Sequence, residues 1–159
     1  MFKIRDWLYI GKYSQIRSKA NLDAHEIGAL LSLAEPVGHD GIATLYLNVT
    51  DGEPVAYDKI AEGVKFVREQ KAAGKRVVVA CGAGISRSVM FSMAALMEEE
   101  DLGLFDAYRE IYQQYRAAQP HDNLVISLAG YHGQEMDLME VWTGLTEVQK
   151  QVKAASTGA

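Results

Sequence analysis

The sequence predicts an α/β fold: a single domain with a central, mainly parallel sheet flanked by helices. Three observations predict it. Arg76-Val77-Val78-Val79-Ala80 is a continuous apolar run, the kind of strand that a parallel sheet buries on both faces. Short apolar runs alternate along the chain with segments of helical period. The length of 159 residues, 48% of them hydrophobic and 23% charged, suits one domain with one substantial core.

Element by element, Trp7-Leu8-Tyr9-Ile10 reads as a short strand ended by a turn at Gly11. Asn21 to Gly28 reads as a short helix with Asn21 as cap and Gly28 as terminator. Ala29 to Leu33 is a brief buried strand, and Pro36, Gly38 and Gly41 mark a loop. Ala43 to Val49 is the next strand, followed by the polar stretch Thr50 to Pro54. Ile60, Val64 and Val67 have helical spacing, so Tyr57 to about Ala73 is an amphipathic helix ended by Gly74. After the Arg76–Ala80 strand, Ser88 to about Glu100 is apolar nearly all round at first and should be a core helix. Helices over about Leu104–Arg116 and Asn123–Met139 complete a domain of residues 1–145. The remainder, 146–159, is expected to be a tail that frays from Gln149 onward.

Composition narrows the function. The net charge of −5 disfavours non-specific binding to nucleic acid or anionic membranes, because both are negative. No apolar run approaches membrane-spanning length, and the N-terminus lacks a signal-peptide pattern. One cysteine, Cys81, cannot form an internal disulfide, so a cytoplasmic location is expected. The four histidines, His25, His39, His121 and His132, show no metal-ligand spacing, and neither a metal nor another cofactor is expected.

The chemistry concentrates in Cys81-Gly82-Ala83-Gly84-Ile85-Ser86-Arg87-Ser88, between the buried strand and the core helix. Ligands of open α/β sheets bind at the carboxyl ends of strands. The small residues Gly82, Ala83 and Gly84 let the loop curl so that successive backbone N–H groups face inward. Such a nest, backed by a helix N-terminus, binds a tetrahedral dianion. Arg87 can grip two of its oxygens. The same field favours Cys81 as a thiolate, a nucleophile placed beneath the bound phosphorus. A lone cysteine is often a small core residue and an arginine often a surface charge. Here the cysteine sits in a glycine-rich turn, and a cation at a helix start is unfavourable unless an anion joins it.

This segment, Cys-x5-Arg-Ser between strand and helix, resembles the signature of the protein tyrosine phosphatases. The wider chain resembles their small dual-specificity branch, of bacterial or archaeal type. Trp7 to Gly11, Leu47 to Asp51, and the Arg116–Asn123 region with its Pro-x-x-Asn all fall at that family's places. The resemblance covers about Trp7 to His132. It implies hydrolysis of a phosphomonoester through a phosphocysteine on Cys81. It further implies Arg87 and the loop Gly82–Ser86 as the phosphate site, Asp51 as general acid, and Ser88 as a hydrogen-bond donor to the departing sulfur. Asp51 lies 30 residues before Cys81, in an Asp-Gly pair that is also a common turn. Glu53 and Asp58 are its rivals on the same stretch. One departure stands out: the family usually has His immediately before the nucleophile, and this chain has Ala80.

The mid-chain position of the loop separates the chain from low-molecular-weight phosphatases, which carry it at the N-terminus. The loop length separates it from rhodanese-like sulfur transferases. Gly82 to Ser86 carries no charge, whereas phosphoinositide phosphatases place lysines there. The expected partner is therefore a phosphorylated protein, with phosphotyrosine ahead of phosphoserine or phosphothreonine, and phosphate, sulfate or vanadate as active-site anions. Two alternatives remain: a phosphate-binding pseudophosphatase, and a phosphatase of a small phosphorylated metabolite.

Overall fold

The structure, a computed structural model, describes residues 1–157. Its sheet has five strands in the order β1-β2-β5-β3-β4. These are β1 (Phe2–Arg5), β2 (Leu8–Lys12), β3 (Ile27–Ser32), β4 (Ala43–Tyr46) and β5 (Arg76–Cys81). Among the described residues the only antiparallel pairing is β1 with β2, so the sheet is mainly parallel, as expected. β5 is central because it is apolar on both faces. Side chains alternate across a strand, so Val77, Val79 and Cys81 face the larger core, while Val78 and Ala80 face a smaller apolar cluster with Tyr9, Ile16, Leu22, Ile27 and Leu30.

The smaller face is covered by α1 (Tyr13–Ile16) and α2 (Lys19–Ala24). The larger is covered by α3 (Tyr57–Ala72), α4 (Arg87–Glu100), α5 (Leu104–Gln114), α6 (Asp122–Tyr131) and α7 (Leu138–Thr157). Every residue of α4 from Ser88 to Met97 is buried, which its apolar circumference requires.

Five expectations need correction. Gly11, expected as the turn that ends the first strand, lies inside β2, where it pairs with Ala80. The helix expected over Asn21–Gly28 is α2, capped by Ser18, whose Oγ accepts from Asn21 N at 3.2 Å; Gly28 lies inside β3. The strand expected to reach Val49 leaves the ladder after Tyr46, although Leu47 and Val49 stay buried. The single helix over Asn123–Met139 is two, divided after Tyr131 by a turn in which Gly133 takes φ +78°. The tail expected to fray from Gln149 is, through Thr157, the second half of α7; the last two residues of that expectation, 158–159, lie outside the described residues.

α7 is a helix for reasons that are visible in its residues. Val141, Leu145, Val148 and Val152 form one buried stripe. Asp137 and Glu140 form a reciprocal cap: Glu140 N donates to Asp137 Oδ1 at 2.8 Å, and Asp137 N donates to Glu140 Oε2 at 3.3 Å.

The edge strand β1 is tied to the helical layer by charge. Arg5 Nε and one terminal nitrogen donate to the two Glu100 oxygens at 2.8 and 2.9 Å, and the same terminal nitrogen reaches Glu110 Oε2 at 2.8 Å. The Arg5 hydrogen bond holds the Glu100 carboxyl below its ordinary range. A carboxylate lowered on folding stabilises the fold above its unfolded pKa, and that contribution is lost as pH falls through the folded value. Arg5→Met is therefore expected to cost about 1–2 kcal/mol at pH 7. The difference from the parent should begin to shrink below about pH 4, as Glu100 takes up its proton in the folded state too. Urea denaturation at about pH 7 and about pH 3 measures both.

Candidate active site

β5 ends at Cys81 and α4 begins at Arg87, so the segment 82–86 must turn the chain within five residues at the carboxyl edge of the sheet. Gly84 makes the turn with φ +71°, and a Cβ there would lie 2.9 Å from Gly11 O. Only glycine satisfies both conditions. Outer contacts hold the loop in place: Tyr13 N donates to Gly82 O at 3.4 Å and Gln119 N to Ile85 O at 2.8 Å. No backbone N–H from Gly82 to Ser86 donates to a backbone acceptor among the described residues. These donors remain for an anion.

Cys81 is buried at 3% exposure, and its Sγ donates to Ser88 Oγ at 3.2 Å, with Ser88 fully buried on the first turn of α4. Arg87 reaches back across the loop. One terminal nitrogen donates to Val49 O at 2.8 Å and Leu33 O at 3.3 Å. Its Nε is buried and has no partner among the described residues. A buried donor left unpaired is costly, and a tetrahedral anion in the loop would satisfy it.

Asp51 is brought to the same place. Ser86 Oγ donates to Asp51 Oδ1 at 2.6 Å and accepts from His121 N at 2.9 Å. With the Ser86 hydroxyl donating to Oδ1, Oδ2 is the Asp51 oxygen left free to carry a proton. The rivals lie elsewhere: Glu53 lines a separate depression, and Asp58 Oδ1 accepts from Lys59 N at 2.9 Å at the start of α3.

Cys81, Arg87, Asp51, Ser86 and Ile85 line one open cavity of about 320 Å³, together with the segment Gln119–Asp122. Sequence reasoning marked that segment only through Pro120 and Asn123. It did not anticipate that Gln119 and His121 latch onto the loop, or that Asp122 joins the cavity. Asn123 Nδ2 donates to Gly52 O at 2.8 Å, and Val55 N donates to Ser127 Oγ at 2.9 Å. The stretch carrying Asp51 is therefore fastened to both the anion loop and α6. Ala80, which stands where a histidine is usual, points to the opposite face of the sheet from Cys81.

Comparison with known proteins agrees with this geometry. Residues 8–134 match the family "Dual specificity phosphatase, catalytic domain". The human dual specificity protein phosphatase 22 is 27% identical over 146 residues, covering 89% of this chain and 79% of the relative. Arabidopsis thaliana dual specificity protein phosphatase 1 is 27% identical over 129 residues, covering 79% and 65%. Among solved structures, that of DUSP15 superposes with TM-score 0.76 at 22% identity, covering 96% of this chain and 94% of its own. With its cysteine–arginine loop and a family match spanning most of its length, the chain belongs to the dual-specificity phosphatases.

Proposed function

We infer that the chain hydrolyses phosphomonoesters on protein side chains, phosphotyrosine before phosphoserine or phosphothreonine, by two displacements at Cys81. In the first, the Cys81 thiolate attacks phosphorus, the P–O bond breaks, and Asp51 Oδ2 gives its proton to the leaving oxygen. In the second, Asp51 takes a proton from water as that water attacks phosphorus. The P–S bond breaks, and Ser88 Oγ–H donates to the sulfur that leaves. Arg87 and the N–H groups of Gly82, Ala83, Gly84, Ile85 and Ser86 hold the phosphoryl oxygens through both steps.

The observation that carries this reading is the unpaired, buried Nε of Arg87 beside a loop of uncommitted N–H donors above Cys81. The uncharged loop favours a monophosphate. A reducing, cytoplasmic setting suits a functional thiol without a second cysteine, and the net charge of −5 speaks against nucleic acid or membrane as partner. No helix among the described residues is long and apolar enough to cross a membrane. The direct test is hydrolysis of an aryl phosphate in EDTA, with and without vanadate. Activity that needs added metal would reject the mechanism.

Asp51→Asn separates the acid from its surroundings. It should slow phosphotyrosine hydrolysis by about 100-fold or more, because the tyrosine oxygen leaves poorly without a proton. It should slow nitrophenyl phosphate by less than about tenfold, because that leaving group hardly needs one. Equal effects on the two substrates in steady-state assays would assign the acid to another group, with Asp122 the next to test.

A further inference from the structure

A second depression opens beside the cavity. It is lined by Tyr108, Trp142, Thr146 and Gln149, and it shares Gln119, Pro120 and Asp122 with the cavity that holds Cys81. The two therefore adjoin along the segment 119–122. A substrate chain whose phosphate sits over Cys81 has this depression within reach of a neighbouring side chain.

The lining specifies what would fit. Trp142 is 56% exposed on α7 and presents an aromatic ring at the rim. Asp122 brings a carboxylate to the boundary. No lysine or arginine lines the depression among the described residues. The hydroxyl of Tyr108 donates to Ala118 O at 2.8 Å and accepts from Gln149 Nε2 at 2.9 Å, which fixes a polar floor. A cation is favoured over an aromatic face and beside a carboxylate. The buried Leu145 is the aliphatic side chain in the lining, so an apolar guest would have to cover polar groups here.

We propose that this depression is a specificity subsite that receives an arginine or lysine side chain of the phosphoprotein substrate, close in sequence to the phosphorylated residue, between Trp142 and Asp122. The inference rests on the protein-phosphatase reading above. It concerns selection among substrates, and the groups that act on phosphorus are unchanged by it.

The test is a set of phosphotyrosine peptides in which arginine, alanine, leucine or glutamate is placed in turn at each of the four positions on either side of the phosphotyrosine. Values of kcat/KM are measured with the full chain, with Trp142→Ala and with Asp122→Asn, and nitrophenyl phosphate serves as a substrate with no flank. The expected result is a preference of about tenfold for arginine over alanine at one or two positions. Trp142→Ala should reduce it to about twofold or less while leaving nitrophenyl phosphate hydrolysis intact, and Asp122→Asn should reduce it as well. No arginine preference at any position, a preference for leucine, or an arginine preference that survives Trp142→Ala overturns the subsite. Turnover of nitrophenyl phosphate with no turnover of any phosphopeptide overturns the protein-substrate reading and the subsite together.

Discussion

Cys81→Ser is expected to abolish turnover, by about 10⁴-fold or more, while the protein still binds phosphate or tungstate. The hydroxyl is close in size to the thiol and can still pair with Ser88, so the loop should keep its shape. What is lost is the nucleophile, since a hydroxyl is not ionised near neutral pH. Initial rates with an aryl phosphate, and anion titration by calorimetry, give the two halves of the result. Near-normal turnover by the variant would mean that another group attacks phosphorus.

Arg87→Lys should be almost as damaging, although it keeps the charge. The arginine uses one terminal nitrogen on Val49 O and Leu33 O, which leaves Nε and the other edge of the guanidinium for the phosphoryl oxygens. A lysine ammonium cannot satisfy both sides with the fork geometry of a guanidinium. We expect KM to rise and kcat to fall, with kcat/KM lower by about 10³-fold. Thermal unfolding separates this from a loss of fold. A variant that melts near the parent and retains kcat/KM within about tenfold would remove Arg87 from transition-state stabilisation.

Much of this was legible in the sequence, for physical reasons. Three consecutive valines identify β5, because a strand buried on both faces has no polar side. The loop was legible because its chemistry is local: a tight turn needs glycine, and an anion site needs small residues followed by an arginine. The position of Asp51 in the cavity was legible only through the resemblance to the phosphatase family, since Asp51-Gly52 by itself reads as a common turn pair, and its bond to Ser86 was not legible, because the two residues are 35 apart in the chain. The same holds for Gln119 and His121, whose backbone groups latch the loop in a way that no side-chain pattern announces. β1 escaped notice because it is four residues long with only Ile4 buried. α7 is a different case. Its stripe from Val141 to Val152 and its Asp137–Glu140 cap are local signals, masked by the apolar residues of α6 that run toward it and suggest one continuous helix from Asn123.

The fastening of the stretch from Asp51 to Val55 bears on how a turnover cycle is timed. Ser86 holds Asp51, Asn123 holds Gly52 and Ser127 holds Val55, so lifting this stretch away from the site breaks three hydrogen bonds at once. At about 1 kcal/mol each, the lifted state would hold less than about a hundredth of the molecules. Substrate therefore meets a site assembled in advance, through the open mouth of the cavity. Each encounter begins without waiting for a flap to close, and phosphate departs without waiting for one to open. The clock of the cycle is then expected to be set by chemistry at phosphorus, in one displacement or the other, so the overall rate should be indifferent to the viscosity of the solvent.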